Sequence, residues 1–143
     1  MNLRATKTKR SILKTIDPSH APSGSESTYI QISRTVGAKL FSDQEQRDYT
    51  YNGQKFGYVN GFGPNVGQRF TITIMNTKYY SYITEHAGPA NCDVNYVEKD
   101  ELLKTMAGHG WTVGDYRSEV GNRNLGVIKG KLVCIDFGPI SRD

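Results

Sequence analysis

Apolar and polar positions alternate in three stretches of the chain, and a turn signal divides each stretch in two. Residues 29–33 are rich in β-formers, Arg34-Thr35 read as a turn, and residues 36–41 (VGAKLF) form a second run. Residues 69–75 place Phe70, Ile72 and Ile74 on one face, Asn76-Thr77-Lys78 turn the chain, and residues 79–84 follow as the partner strand. Residues 125–128 and 131–135 flank Lys129-Gly130 in the same way. Three hairpins are therefore expected. Between the first two, Ser42-Asp43 offers a helix N-cap, and few breakers intervene before Gly61, with Tyr51, Gln54 and Tyr58 at helical spacing. Between the second and third, residues 94–107 predict a helix with Val97, Leu102, Leu103 and Met106 as its apolar stripe, stopped by Gly108 and Gly110. Residues 17–28 (DPSHAPSGSEST) read as a loop, and Ile12, Leu13 and Ile16 before it as a short strand.

The resulting order is hairpin, helix, hairpin, helix, loop, hairpin. It predicts an α+β fold with mostly antiparallel strands. It does not fit a dinucleotide-binding sheet, since no G-x-G-x-x-G follows a strand. With 143 residues, one compact domain is expected over 17–143, preceded by a basic arm over 1–16.

Charge sharpens that division. The arm holds Arg4, Lys7, Lys9, Arg10 and Lys14 and no acid, whereas the remainder nets about −1 out of the whole chain's +4. A nucleic-acid partner through the arm is one reading, and the charge of the body counts against it. No run of about 18 apolar residues is present, so no transmembrane helix is expected. The first 14 residues lack the apolar centre of a signal peptide, and the expected location is the cytoplasm. Cys92 and Cys134 have no C-x-x-C spacing, and His20, His86 and His109 no zinc-ligand spacing; Cys134 reads as a small core residue.

The candidate chemistry lies in the last third. The apolar run 132–135 delivers Asp136-Phe137-Gly138, and Gly114-Asp115 lies ahead of the hairpin. An Asp leaving a buried strand, with a second Asp in a loop before it, can hold a nucleotide's metal and orient an acceptor hydroxyl. Upstream, Gly37-Ala38-Lys39-Leu40-Phe41 puts a Lys on a strand, and Gly24-Ser25-Glu26-Ser27-Thr28-Tyr29 is a Ser/Gly loop entering one.

In this order the motifs resemble the protein kinase-like superfamily, most closely its small atypical or phage-encoded members, over roughly residues 20–140. The resemblance implies a five-stranded antiparallel N-terminal sheet carrying one helix. A truncated lower lobe of helix, catalytic-type loop and hairpin would follow. It implies ATP and Mg²⁺ as cofactors. Gly24 and Ser25 would cover the phosphates, Lys39 would contact them, and Glu85 would close the strand entering the base-binding hinge. Asp136 would bind the metal with Asn122 or Asn124, and Asp115 would orient the acceptor. The sequence departs from the family pattern in places. Five residues after Asp115 stands Val120 where the family has Asn, with Asn122 and Asn124 seven and nine residues on. Gly114 precedes Asp115 where the family has Arg, and the acid that would pair Lys39 is undecided between an early Glu45 and an uncharged Gln54. Five residues follow Gly138, which leaves little expected surface for a protein substrate.

Three function classes stay open: a minimal kinase-like nucleotide binder with phosphotransferase activity, an inactive kinase-fold protein that docks on a host protein in the host cytoplasm, and a nucleic-acid binder. Nine Tyr and one Trp suit the second, since exposed Tyr favours interfaces.

Overall fold

A computed structural model gives the fold and describes residues 5–16, 27–90, 96–111, 113 and 124–137. It is α+β, with three helices and two antiparallel sheets among the described residues. The chain divides into two compact units: Met1–Asn52 with Asn65–His86, and Gly53–Pro64 with Ala87–Asp143.

The first unit is built on a four-stranded sheet of β1 (Ser27–Gln31), β2 (Val36–Phe41), β3 (Val66–Ile74) and β4 (Thr77–Glu85), in the order β1-β2-β4-β3. The β3–β4 turn is two residues long, and Met75 and Asn76 both have positive φ, the conformation that matches the twist of paired strands. One face of the sheet carries Ile30, Ala38, Leu40, Phe70, Ile72 and Ile83, all buried. Helix α1 (Ala5–Thr15) contributes Ile12 to that core, with Thr8 one turn earlier also fully buried.

The basic segment is thus a helix, where a short strand was expected. Thr8 and Ile12 stand at i, i+4, so one helical stripe buries both, while Leu13 is 54% exposed. No Gly or Pro interrupts residues 5–15. The expected fifth strand of the sheet is accordingly absent among the described residues.

Helix α2 (Gln44–Val59) begins as the sequence indicated. The Asp43 carboxylate accepts the N–H of Glu45 at 3.3 Å, an N-cap bond. Its first half serves the opposite sheet face. Tyr51 meets the fully buried Tyr82 edge-on at 5.4 Å, and Arg69 lies over Tyr51 at 4.8 Å. Arg47 is buried and donates to the carbonyls of Phe70 (3.2 Å) and Ser81 (3.1 Å) and to the Asp48 carboxylate (2.7 Å).

The second unit holds the end of α2, helix α3 (Tyr96–Gly108) and a three-stranded sheet. The strands are β5 (Gly88–Pro89), β6 (Leu125–Ile128) and β7 (Lys131–Cys134), paired in that order. β5 is two residues long, too short for alternation to mark it, and its Pro suits an edge strand. Both helices end in a Schellman motif. Phe62 N–H reaches Gly57 O (2.8 Å) and Gly61 N–H reaches Tyr58 O; Trp111 N–H reaches Met106 O (3.1 Å) and Gly110 N–H reaches Ala107 O. Gly61 and Gly110 take the left-handed position, at φ 85° and 88°. Each motif delivers an aromatic, Phe62 or Trp111, into one core with Leu102, Leu103, Met106, Cys134 and Phe137. Val97, read as part of the α3 stripe, is 58% exposed.

Candidate functional site

Lys39 sits on β2, an inner strand of the first sheet, and is half-buried. The register sets Tyr29 and Tyr82 directly opposite it on the neighbouring strands, so all three side chains share one face. Its Nζ lies 6.0 Å from the centre of the Tyr82 ring. This is the face that the first half of α2 serves. Of the two acids of α2, Glu45 is exposed in the first turn, and Asp48 is bridged by Arg47 and Arg69. Gln54 is fully buried and donates its amide to Pro64 O at 3.2 Å.

Glu85 ends β4. Its N–H donates to Asn65 O (2.9 Å) and its Oε1 accepts the Asn65 N–H (3.1 Å), a reciprocal clasp that fixes the strand end. The next residue, His86, donates its backbone N–H to Thr35 O at 2.8 Å.

In the second unit the β6–β7 hairpin turns through Lys129 and Gly130, both at positive φ, and carries the chain out to Asp136. One rung beyond the Leu125–Cys134 pair, Ile135 N–H donates to Asn124 O at 2.9 Å. Asn124 is therefore the ladder neighbour of Ile135, and Asp136 follows one residue beyond it. Both are half-buried, and their side-chain oxygens are the hard donors that Mg²⁺ prefers. Phe137 behind them is fully buried against Phe62 (6.3 Å) and Trp111 (5.5 Å). Gly24, Ser25, Asp115 and Asn122 lie outside the described residues.

Two residues with no signal in the sequence join the neighbourhood of Lys39. The Tyr29 hydroxyl meets His86 Nδ1 at 2.5 Å, and the two rings stack at 5.7 Å and 25°. Partial burial pushes the Tyr29 phenol up to about 12. Elsewhere, a groove of about 400 Å³ in the second unit is lined by Asn60, Glu98, Glu101, Thr105 and Lys131 among others, and by none of the candidate site residues.

No helix among the described residues is long and apolar enough to cross a membrane. Comparison with known protein families and with characterised proteins finds no match.

Proposed function

We propose that this chain is a kinase-like nucleotide-binding protein. Lys39 meets the phosphates of ATP, and Asp136 with Asn124 holds Mg²⁺. The observation that carries the reading is the setting of Lys39. It lies on an inner antiparallel strand, on the face served by the helix that directly follows that strand. A lysine on a rigid strand followed by such a helix is how kinases present a compact positive charge to phosphate. The second support is the hairpin that ends in Asp136, with Asn124 on the adjoining rung. In kinases an Asp after such a hairpin and an Asn before it are the metal ligands. Gly24, Ser25, Asp115 and Asn122 keep the roles that the resemblance implies, and Glu85 closes the strand before the base-binding segment.

A thermal-shift titration of the full chain with ATP, with and without Mg²⁺, tests the proposal. Binding at a hundredfold excess over Kd stabilises a fold by about 2.7 kcal/mol, which moves the midpoint by several degrees. The expected result is a rise with ATP that grows when Mg²⁺ is present. No rise under either condition would sink the nucleotide reading.

A further inference from the structure

We propose that the bare backbone of Gly37 is the floor of a site for a planar heterocyclic ring, and that Tyr29 fills this site with its own ring in the free protein. The inference rests on the nucleotide reading for the identity of the ring, and on geometry for the site itself.

Gly37 lies inside β2, where a glycine weakens a strand and needs a reason. Its φ is not positive, so no turn or left-handed conformation requires it. What requires it is space. A Cβ at this position would lie 2.1 Å from the Tyr29 hydroxyl oxygen, 2.4 Å from Cζ and 2.7 Å from Cε2. The register sets Tyr29 opposite Lys39 and Gln31 opposite Gly37, so the ring crosses diagonally onto the glycine on the Lys39 face.

The ring that fills this space is not a core residue. Tyr29 is 43% exposed and belongs to β1, an edge strand. Its hydroxyl is held by His86 Nδ1, and its ring stacks on the same imidazole. Rotation about χ1 would carry it into solvent, with the loss of that hydrogen bond, the stack and the packing on Gly37. What it leaves is a glycine floor between Gln31 and Thr84, its partners on the neighbouring strands, with an imidazole at one edge. Lys39 stands two residues along the same face, about 7 Å away. A glycine floor, a hydrogen-bonding edge and a cation at that distance match a planar ring that carries an anionic group. Within the nucleotide reading that ring is the base. Tyr29 then competes with the ligand, and the apparent Kd exceeds the intrinsic one by the inverse of the open fraction.

The test uses the full chain and adenosine, a ring without phosphate, titrated by calorimetry, with Mg²⁺–ATP in parallel. Tyr29→Ala is expected to bind adenosine at least tenfold tighter than wild type. His86→Ala, which frees the plug but keeps the ring, is expected to gain in the same direction. Adding Gly37→Ala to Tyr29→Ala is expected to abolish the gain. If both Tyr29→Ala and His86→Ala keep their circular dichroism and bind adenosine no tighter than wild type, Tyr29 is only a packing partner for a strand glycine and the proposal fails. Should Tyr29→Ala fail to fold, His86→Ala and ring-labelled Tyr29 in wild type decide. Saturating adenosine must move the Tyr29 resonance to that of an exposed tyrosine; an unmoved resonance overturns the site. The two readings separate cleanly. Adenosine gain with ATP binding indifferent to Lys39→Ala keeps the ring site and removes the phosphate assignment. Lys39-dependent ATP binding with no adenosine gain does the reverse.

Discussion

Arg47 shows how a single residue can hold the first sheet to its helix. It is 6% exposed, and it donates to two carbonyls of the β3–β4 pair besides the Asp48 carboxylate. Removing it leaves buried acceptors without a donor, which costs more than the net worth of the bonds themselves. Arg47→Ala is expected to lower stability by about 3 kcal/mol in urea unfolding. Arg47→Lys should recover less than half of that, because an ammonium cannot reproduce the fork. Tyr29 gives a second residue-scale expectation. Its phenol is raised from 10.0 to about 12 in the fold, by burial. Below pH 10 the group is protonated whether folded or not, and the stabilisation is fully present. Between about pH 10 and 12 unfolding releases the proton, so stability falls as pH rises. The advantage of wild type over Tyr29→Phe in thermal midpoint should shrink across that window. A constant difference from pH 9 to 12 would contradict the assignment.

At the scale of elements, the glycines of α2 and α3 separate propensity from packing. Replacing a helical Gly by Ala ordinarily gains about 1 kcal/mol. At Gly57 the new Cβ would lie 2.7 Å from the Phe137 ring, which is fully buried between Phe62 and Trp111 and has nowhere to move. Overpacking of this kind costs about 1–3 kcal/mol, so Gly57→Ala should be a net loss. At Gly108 a Cβ meets nothing within 4 Å, and Gly108→Ala should stabilise by up to about 1 kcal/mol. Urea midpoints that move in the same direction for both would show that packing is not what distinguishes them.

The elements also show what the sequence could and could not reveal. The three hairpins were legible because alternation and turn residues agreed: β1–β2, β3–β4 and β6–β7 all form. The N-cap at Asp43 and the glycine stops after α2 and α3 were legible for the same reason, since each is a local signal. Helix α1 was not. Its buried stripe includes Thr8, a polar residue, and the Leu13 that suggested a strand faces solvent. The Tyr29–His86 pair lies 57 residues apart in sequence, and no spacing rule connects them. Nothing in the sequence around Gly37 signals the Tyr29 ring that covers it. The candidate site divides likewise: Lys39, Glu85, Asn124 and Asp136 are described, and Gly24, Ser25, Asp115 and Asn122 lie outside the described residues.

At the scale of the whole molecule, each unit has its own core and its own share of the proposed chemistry. The first sheet has one apolar face covered by α1 and one aromatic, cationic face bearing Lys39. The second unit uses aromatic packing around Phe137 to fix the residue next to Asp136. The proposed reading assigns Lys39 to the phosphates of ATP and Asp136 to its Mg²⁺. Calorimetric titration of Mg²⁺–ATP into the full chain and into Lys39→Ala and Asp136→Ala tests it most directly. Saturable binding to wild type is expected, weakened in each variant by about 1–3 kcal/mol, the scale of a charge-assisted contact. Removing Mg²⁺ is expected to weaken wild type but to leave Asp136→Ala nearly unchanged. Binding that ignores both substitutions, or no binding to a folded wild type, would contradict this assignment.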